Sequence, residues 1–494
     1  MSNRMSSDAK PRSQVFRVVL LLLVISFCCA VLAACDTSSS SSDPHTVSAE
    51  GEKLSSFYYD QPAFTVYVGS YGWVTDDIWC EENDEDAEQA LGKPVYEAVL
   101  KRMQVMQEQY HVTLALTGAQ DKSPYTEITQ QINAGQTSFQ AIMTQGSTCY
   151  TLALEGYLQD YRTQNGIDLE SDIWDQNFVK QLNINDRLYF LLGDISLLDD
   201  RSTHAIAFDK SLLDSLAGLP DTETLYELVR NGAWTLDRMI EYVQIAAADL
   251  DGDGAITSQD RIGLVYRQTS GTGFLQGCGV PIAENDGNGN VTLSFMREKT
   301  PIVWDKLLTL IDPAYSINYD MEGVSVSTLM GEDRCLFFAE YVDSLYELRY
   351  QGIDFGVLPM PKYDESQPQY ISPSHDYGTN FLCVPATNSD VSDTLTVLTL
   401  LAEQGNELLT PAFYENLFGD QFEMSQNEIA VLDLIFDTKY YDLGTYMNWA
   451  NFSVKLMQAW NRRSSDIVGL YETYANRIQR QIDKIDSYDT FAPS

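Results

Sequence analysis

The residues best equipped for chemistry stand in one run, Asp249-Leu250-Asp251-Gly252-Asp253-Gly254-Ala255-Ile256-Thr257-Ser258-Gln259-Asp260. Its carboxylates fall at positions 1, 3, 5 and 12 of a twelve-residue loop. That spacing can surround one hard cation with oxygen, the ligand atom that calcium takes. Gly254 at position 6 permits the sharp turn, Ala255 offers its carbonyl, and Thr257 contributes directly or through a water. Asp260 closes the set where such loops ordinarily carry Glu. The expected metal ligands are therefore Asp249, Asp251, Asp253, Ala255, Thr257 and Asp260, with Ca2+ as a structural cofactor. The competing reading is an acidic helix-to-strand turn with no ion. No nucleophile or base pattern is attached to the run, so the ion would rivet a loop and take no part in catalysis.

Catalytic motifs are missing elsewhere too. The four histidines are His45, His111, His204 and His375, and none sits in HExxH. There is no GxSxG elbow and no phosphate-cradling loop followed by lysine. Acid pairs are abundant in so acidic a chain, so composition leaves a glycosidase pair open while giving it no positive support. A binding protein is expected, not an enzyme. Tyr alone numbers 29, and flat rings either stack on sugar faces or fill cores.

Asp and Glu number 71 against 31 Lys and Arg, a net charge of −40. Such a surface repels phosphate backbones, so nucleic-acid binding is excluded as a function class. Arg4, Lys10, Arg12 and Arg17 precede an apolar run from Val18 to Ala34, which ends Leu32-Ala33-Ala34 before Cys35. A basic head, an apolar middle and small residues before a cut point make a secretory signal. With cysteine next, the segment resembles a bacterial lipoprotein signal. That resemblance implies cleavage after residue 34, acyl lipid (palmitate) on Cys35, and a chain anchored by lipid at the outer face of the cell membrane. The competing reading is an uncleaved membrane anchor. Cys28 and Cys29 lie in the discarded segment. Cys80, Cys149, Cys278, Cys335 and Cys383 are widely spaced with no CxxC, so neither a zinc site nor a dense disulfide scaffold is expected.

Residues 35–56 are serine-rich and read as a lipidated flexible tether. FTVYVGS (64–70) reads as a strand that runs into Tyr71-Gly72-Trp73. Pro94 opens a helix whose apolar face is Val95, Val99, Met103, Met106 and Tyr110. HVTLAL (111–116) is a second strand, 124–134 a helix, and FQAIMT (139–144) a third strand ending at Gln145-Gly146-Ser147. Alternating strands and helices predict a parallel sheet, with ligands outside the carboxyl ends of its strands. Tyr71, Trp73, Gln145 and Ser147 are placed there. RLYFLL (187–192), HAIAFDK (204–210), IGLVY (262–266) and FLCVPA (381–386) are further apolar runs, and 284–293 reads as a hairpin turn. Thr235 is placed as the cap of a helix with Leu236, Met239, Ile240, Val243 and Ala247 on its apolar face. The C-terminal part is mostly helical.

The lipidated cysteine, the tether, the first strand and a crossover near residue 200 resemble solute-binding lipoproteins of ABC importers, in the large sugar-type class that includes maltose-binding proteins. GAWTLDRMIEYVQIAAADLDGDGAITSQDRIG (232–263), GEDRCLFFAEYVDSLYELR (331–349) and DFGVLPMPKYDESQPQY (354–370) carry the same resemblance. It implies an α/β fold of two lobes joined by hinge crossovers, with a C-terminal helical segment. Lobe 1 would be 57–198 and 377–430, lobe 2 would be 204–361 and 431–494, and the crossovers 199–203 and 362–376. It implies capture of a solute, foremost an oligosaccharide, for an ABC permease in the membrane by a monomer. By the same resemblance the ligand residues are Tyr71, Trp73, Gln145, Gly146, Ser147, Asp200, Arg201, Glu340, Tyr341, His375, Asp376, Tyr377 and Trp449. A surface glycan adhesin or sensor using the same clamp, or a secreted glycosidase, are the alternative functions.

Overall fold

The computed structural model describes residue 54 and residues 56–69, 76–118, 123–376, 379–418 and 425–487. The signal, Cys35, nearly all of the tether, Tyr71, Trp73 and Tyr377 lie outside the described residues. The strands in chain order are β1 (Phe64–Val68), β2 (Leu114–Thr117), β3 (Ala141–Gln145), β4 (His204–Asp209), β5 (Ile262–Tyr266), β6 (Ala283–Asn285), β7 (Val291–Leu293), β8 (Ser316–Asn318), β9 (Cys335–Tyr341), β10 (Phe355–Leu358), β11 (Ser372–Pro373), β12 (Asn380–Cys383) and β13 (Lys439–Tyr440).

Two mixed sheets organise two α/β lobes. The first has the order β12-β3-β1-β2, the second β10-β4-β9-β5-β8. In the first, β1 runs parallel to both neighbours, with Phe64 opposite Leu114 and Val66 opposite Ala141. In the second, β5 lies parallel to β8 and β9, while β4 runs antiparallel to both its neighbours, β9 and β10. Every residue of β4 and of β5 is buried. A strand covered by helices on both faces has no solvent side, which is why IGLVY reads as an unbroken apolar run. The helix Lys93–Tyr110 buries Val95, Val99 and Met106 as its spacing predicts. It also buries Arg102, whose guanidinium donates to the carbonyls of Asp77, Ile78 and Ile195 at 2.7, 3.0 and 2.8 Å. Burial lowers the Arg102 pKa to about 10.

One apolar run and one expected cap need a closer account. RLYFLL forms no regular strand and meets the first sheet only at β12. It makes an isolated bridge, Leu191 to Leu382, and packs Phe190 on Phe381 with ring centres 5.4 Å apart. Burial on all sides accounts for its apolarity without a ladder. Thr235 does precede the helix Leu236–Ala246, but its side chain makes no capping bond there. The segment is held by its backbone instead, with Leu236 N donating to the Lys362 carbonyl at 2.8 Å.

The returning chain places β12 in the first sheet and β11 and β13 in a small parallel pair of their own. Helix Val391–Phe418 lies along Lys93–Tyr110. Gly405 lets it approach closely, because a Cβ there would collide with the Asp194 carbonyl. Asn406 and Thr410 then donate to the Asp194 carboxylate at 2.7 and 2.9 Å. Helix Gln426–Asp437 packs instead on β10, in the second lobe.

Candidate ligand site

Three chain segments knit together between the sheets. Thr203 bridges Ser374, His375 N donates to the Ser202 carbonyl at 3.0 Å, and Ser374 N to the Tyr440 carbonyl at 2.9 Å. Lys439, on β13, is largely covered and stands among acids. Its ammonium lies 2.7, 2.6 and 2.7 Å from Asp175, Asp199 and Asp200. Tyr441 donates its hydroxyl to Asp175 and Asp199 at 2.9 and 3.2 Å. Burial raises Asp199 to about 7; Lys439 opposes this, and the charges of Asp200 and Asp175 add to it. Burial works on Asp175 in the same direction, but there Lys439 wins and the pKa falls. A cavity of about 550 Å³ opens beside this cluster, lined among others by Asp172, Asp194, Asp200 and Asp437.

A second cavity, of about 520 Å³, opens where β5 and β9 end. Arg267, Gln268 and Thr269 follow β5 into it, and Tyr341, Asp343 and Ser344 come from the end of β9 and the helix that follows. Leu198, Arg201 and Ser202 contribute from the first crossover, and Val454, Met457, Gln458 and Asn461 from helix Phe452–Asn461. Both guanidiniums in the lining are paired. Arg201 Nε lies 2.7 Å from Asp343, and Arg267 lies 3.0 Å from Asp320 and 3.4 Å from Glu340. Glu340 is fully buried, and burial raises it to about 8 even against Arg267. Behind Tyr341 stand two imidazoles, His204 at 4.8 Å and His375 at 5.0 Å between ring centres. Burial holds His204 well below the ordinary range and His375 at about 3, so both are neutral. The floor is thus aromatic and uncharged, and the rim carries matched ion pairs and side-chain amides.

Of the expected ligand residues, Arg201 and Tyr341 line this cavity. Glu340 sits behind it on Arg267, and His375 backs Tyr341 with Asp376 3.5 Å from its Nδ1. Asp200 turns to Lys439 and the other cavity. Gln145, Gly146 and Ser147 stand at the start of helix Gly146–Leu154, away from the lining. At Gly146 a Cβ would lie 2.9 Å from the Phe381 ring, so this backbone is packed. Trp449 is fully buried, edge-on to Tyr150 at 6.2 Å, and as placed offers no ring face to a ligand. Sequence reasoning missed Arg267, Gln268, Thr269, Asp343 and Ser344. The strand-end rule that selected Gln145 selects them when applied to IGLVY and CLFFAEY. Nothing in the sequence marks Gln458 or Asn461.

In the acidic loop, ligand oxygens of Asp249, Asp251 and Asp253 lie within 4.8 Å of one another, and all three residues are exposed. Asp249 accepts from Gly252 N and Gly254 N at 2.6 and 2.9 Å, and Gly254 has φ +89°, which its lack of Cβ allows. Among the described residues none of the three is ion-paired. For Asp251, a bond from Asp253 N lowers the pKa, but desolvation and the charges of Asp253, Asp260 and Asp249 outweigh it and raise it. Asp260 stands apart from the gathered three. Its oxygens accept from Leu250 N, Asp251 N, Thr257 N and the Thr257 hydroxyl at 2.8, 3.4, 2.8 and 3.0 Å. The bonds from Thr257 N and Leu250 N are the main reason its pKa is lowered. An all-oxygen, uncompensated donor set suits a hard cation.

Two α/β lobes, knitted by three crossing segments and holding a cavity at strand ends, define the two-lobe fold of periplasmic-type binding proteins. Solved structures with this fold include the maltose/maltodextrin-binding domain MalE from Bdellovibrio bacteriovorus bound to maltotriose (TM-score 0.53, 12% identity, 85% of this chain and 100% of that one). A second is an ABC substrate-binding protein from Listeria monocytogenes in complex with cycloalternan (0.51, 11%, 87% and 99%). A third is UgpB from Mycobacterium tuberculosis in complex with glycerophosphocholine (0.51, 16%, 79% and 95%). No protein-family profile matches the chain, and no curated protein matches it in sequence.

Proposed function

We propose that this chain is a solute-binding protein that captures a neutral oligosaccharide for import by an ABC permease. It acts as a monomer held to the outer face of the cell membrane by lipid on Cys35, and it binds without catalysing. The observation that carries this reading is the 520 Å³ cavity at the ends of β5 and β9. Its volume lies within the range of about 300–1,000 Å³ common for small-molecule pockets. The saccharides bound in two solved structures with this fold support the ligand class. Neutrality follows from the pairing of Arg201 with Asp343 and of Arg267 with Asp320. A charged ligand would have to break one of these pairs, whereas hydroxyls can bond to their unused oxygens and N–H groups. Among the described residues no helix is long and apolar enough to cross a membrane. The Asp249–Asp260 loop holds calcium as a structural ion through Asp249, Asp251 and Asp253, with Asp260 ordering the backbone behind them.

Thermal melting of the chain from residue 36 onward, in calcium, against neutral saccharides, uronates and peptides tests the reading. A ligand at 100 times its Kd adds about 2.7 kcal/mol. A midpoint rise confined to neutral oligosaccharides is expected. A rise with peptides or uronates and none with neutral sugars overturns the ligand class. Turnover of a bound glycan overturns the binding-only role.

A further inference from the structure

Cys149 and Cys383 are far apart in sequence and meet in the first lobe. Cys149 lies in helix Gly146–Leu154, which follows β3 directly. Cys383 ends β12, which runs antiparallel to β3 and sets Cys383 opposite Ile142. Both side chains are completely buried. Cys149 Sγ lies 3.4 Å from the Thr144 carbonyl and 3.8 Å from the Phe381 carbonyl, and Cys383 Sγ lies 3.8 Å from that same Phe381 carbonyl. Two sulfurs near one oxygen stand no further apart than twice 3.8 Å, and Cys149 is the neighbour whose thiol acts on Cys383. Cys278 and Cys335 lie near other carbonyls, those of Pro361 and Phe337.

We propose that Cys149 and Cys383 form an oxidisable dithiol, a disulfide site that ties the helix after β3 to the returning strand of the first lobe. The oxidant is another disulfide, oxidised glutathione or the active disulfide of a thiol–disulfide oxidoreductase. One thiolate attacks it, forms a mixed disulfide and releases one thiol. The second thiolate displaces the remaining sulfur, so the new S–S bond replaces two S–H bonds. Both electrons and both protons leave on the released thiols. Burial, with Cys149 adjacent, pushes the Cys383 thiol well above its ordinary range. Attack from the packed lobe is therefore slow, and the bond closes while β12 docks or when it opens locally. Both ends of the link lie on elements of the first lobe, so it stiffens that lobe and bridges no crossing segment to the other. The site needs only an oxidising compartment, which the secretory reading of the signal supplies, and it stands apart from the choice of ligand.

The full chain is incubated in a glutathione redox buffer with enough urea to permit local opening, alkylated in denaturant, and mapped by peptide mass. The expected result joins the Cys149 peptide to the Cys383 peptide and leaves the alkyl label on Cys80, Cys278 and Cys335. Label on both Cys149 and Cys383, or a bridge from either to another cysteine, overturns the proposal. Cys383→Ser is a near-isosteric control that should return Cys149 to the labelled state. The oxidised wild type should melt higher than the same protein in reductant, and C383S should show no reductant-dependent shift. An equal shift in both overturns it as well. Surface labelling of intact cells reads the location separately, so failure of the secretory reading is not mistaken for failure of the dithiol.

Discussion

Two gatherings of three aspartates in this molecule solve the same electrostatic problem in opposite ways. Asp249, Asp251 and Asp253 are consecutive odd positions of one loop, exposed, and without an ion pair among the described residues. Asp175, Asp199 and Asp200 come from two distant segments, are largely buried, and close on the ammonium of Lys439 from a third. In water a carboxylate cluster persists because solvent screens its charges. Away from water the same cluster needs a fixed counterion, since desolvated like charges otherwise drive one another neutral. The exposed set is therefore free to take its cation from solution, while the buried set carries a cation of its own and uses it to tie the crossings together.

The difference is sharpest at Lys439. Lys439→Met leaves buried carboxylates without their counterion and should cost about 3–5 kcal/mol in urea unfolding. A loss below about 1 kcal/mol would show that the cluster neutralises itself by taking up protons. Next in size is the cavity rim. Tyr341→Ala should weaken the responding saccharide by roughly 1–3 kcal/mol in calorimetric titration. Asp343→Asn releases Arg201 from its pair and should shift preference towards a uronate of the same size. Unchanged relative affinities would remove the pairing argument for a neutral ligand.

The acidic loop should respond to its ion alone. Asp251→Ala lowers the melting midpoint in calcium and leaves it unchanged in chelator, and an equal loss in both breaks the contrast between the two clusters. The pH dependence separates them further. Asp199 is raised to about 7 in the folded protein from an ordinary 3.8. The folded state then holds a proton that the unfolded chain gives up. The stability this group adds is complete below about pH 4 and is lost as pH rises through about 7. Asp175 is lowered, so its contribution is present above its ordinary pKa and disappears as pH falls. Asp199→Asn should flatten the decline in stability between about pH 4 and 7. An undiminished decline would place its source elsewhere, with Asp442, which burial raises to about 7, the first to examine.

Much of the chain's local structure was legible because its signals are local. The apolar spacing of Val95, Val99 and Met106 marks a helix face, and the runs HAIAFDK and IGLVY mark strands buried on both sides. The gathering of Asp249, Asp251 and Asp253 was legible for the same reason, since the three lie within a few residues of one another. Arg102 was not legible as a core residue, because the carbonyls that accept its guanidinium come from distant loops. Lys439 gave no sign of its role either. A single lysine in a helical C-terminal stretch reads as solvated surface, and only the pairing of β13 with β11 brings it beside Asp199. At the cavity, Arg201 and Tyr341 were reachable through resemblance and strand ends, whereas Trp449 chosen by spacing is sealed against Tyr150.

By itself the sequence determined the α/β alternation, the acidic composition, the clustering of Asp249, Asp251 and Asp253 and the absence of familiar catalytic motifs, since each depends on residue type and short-range spacing. Tertiary structure alone decided which carboxylates share a counterion, which aromatic faces a cavity and which lies in the core, and which two cysteines share a carbonyl. Those outcomes depend on burial and on contacts between segments hundreds of residues apart. The free energy of a charge, a ring or a thiol is set by what surrounds it in space.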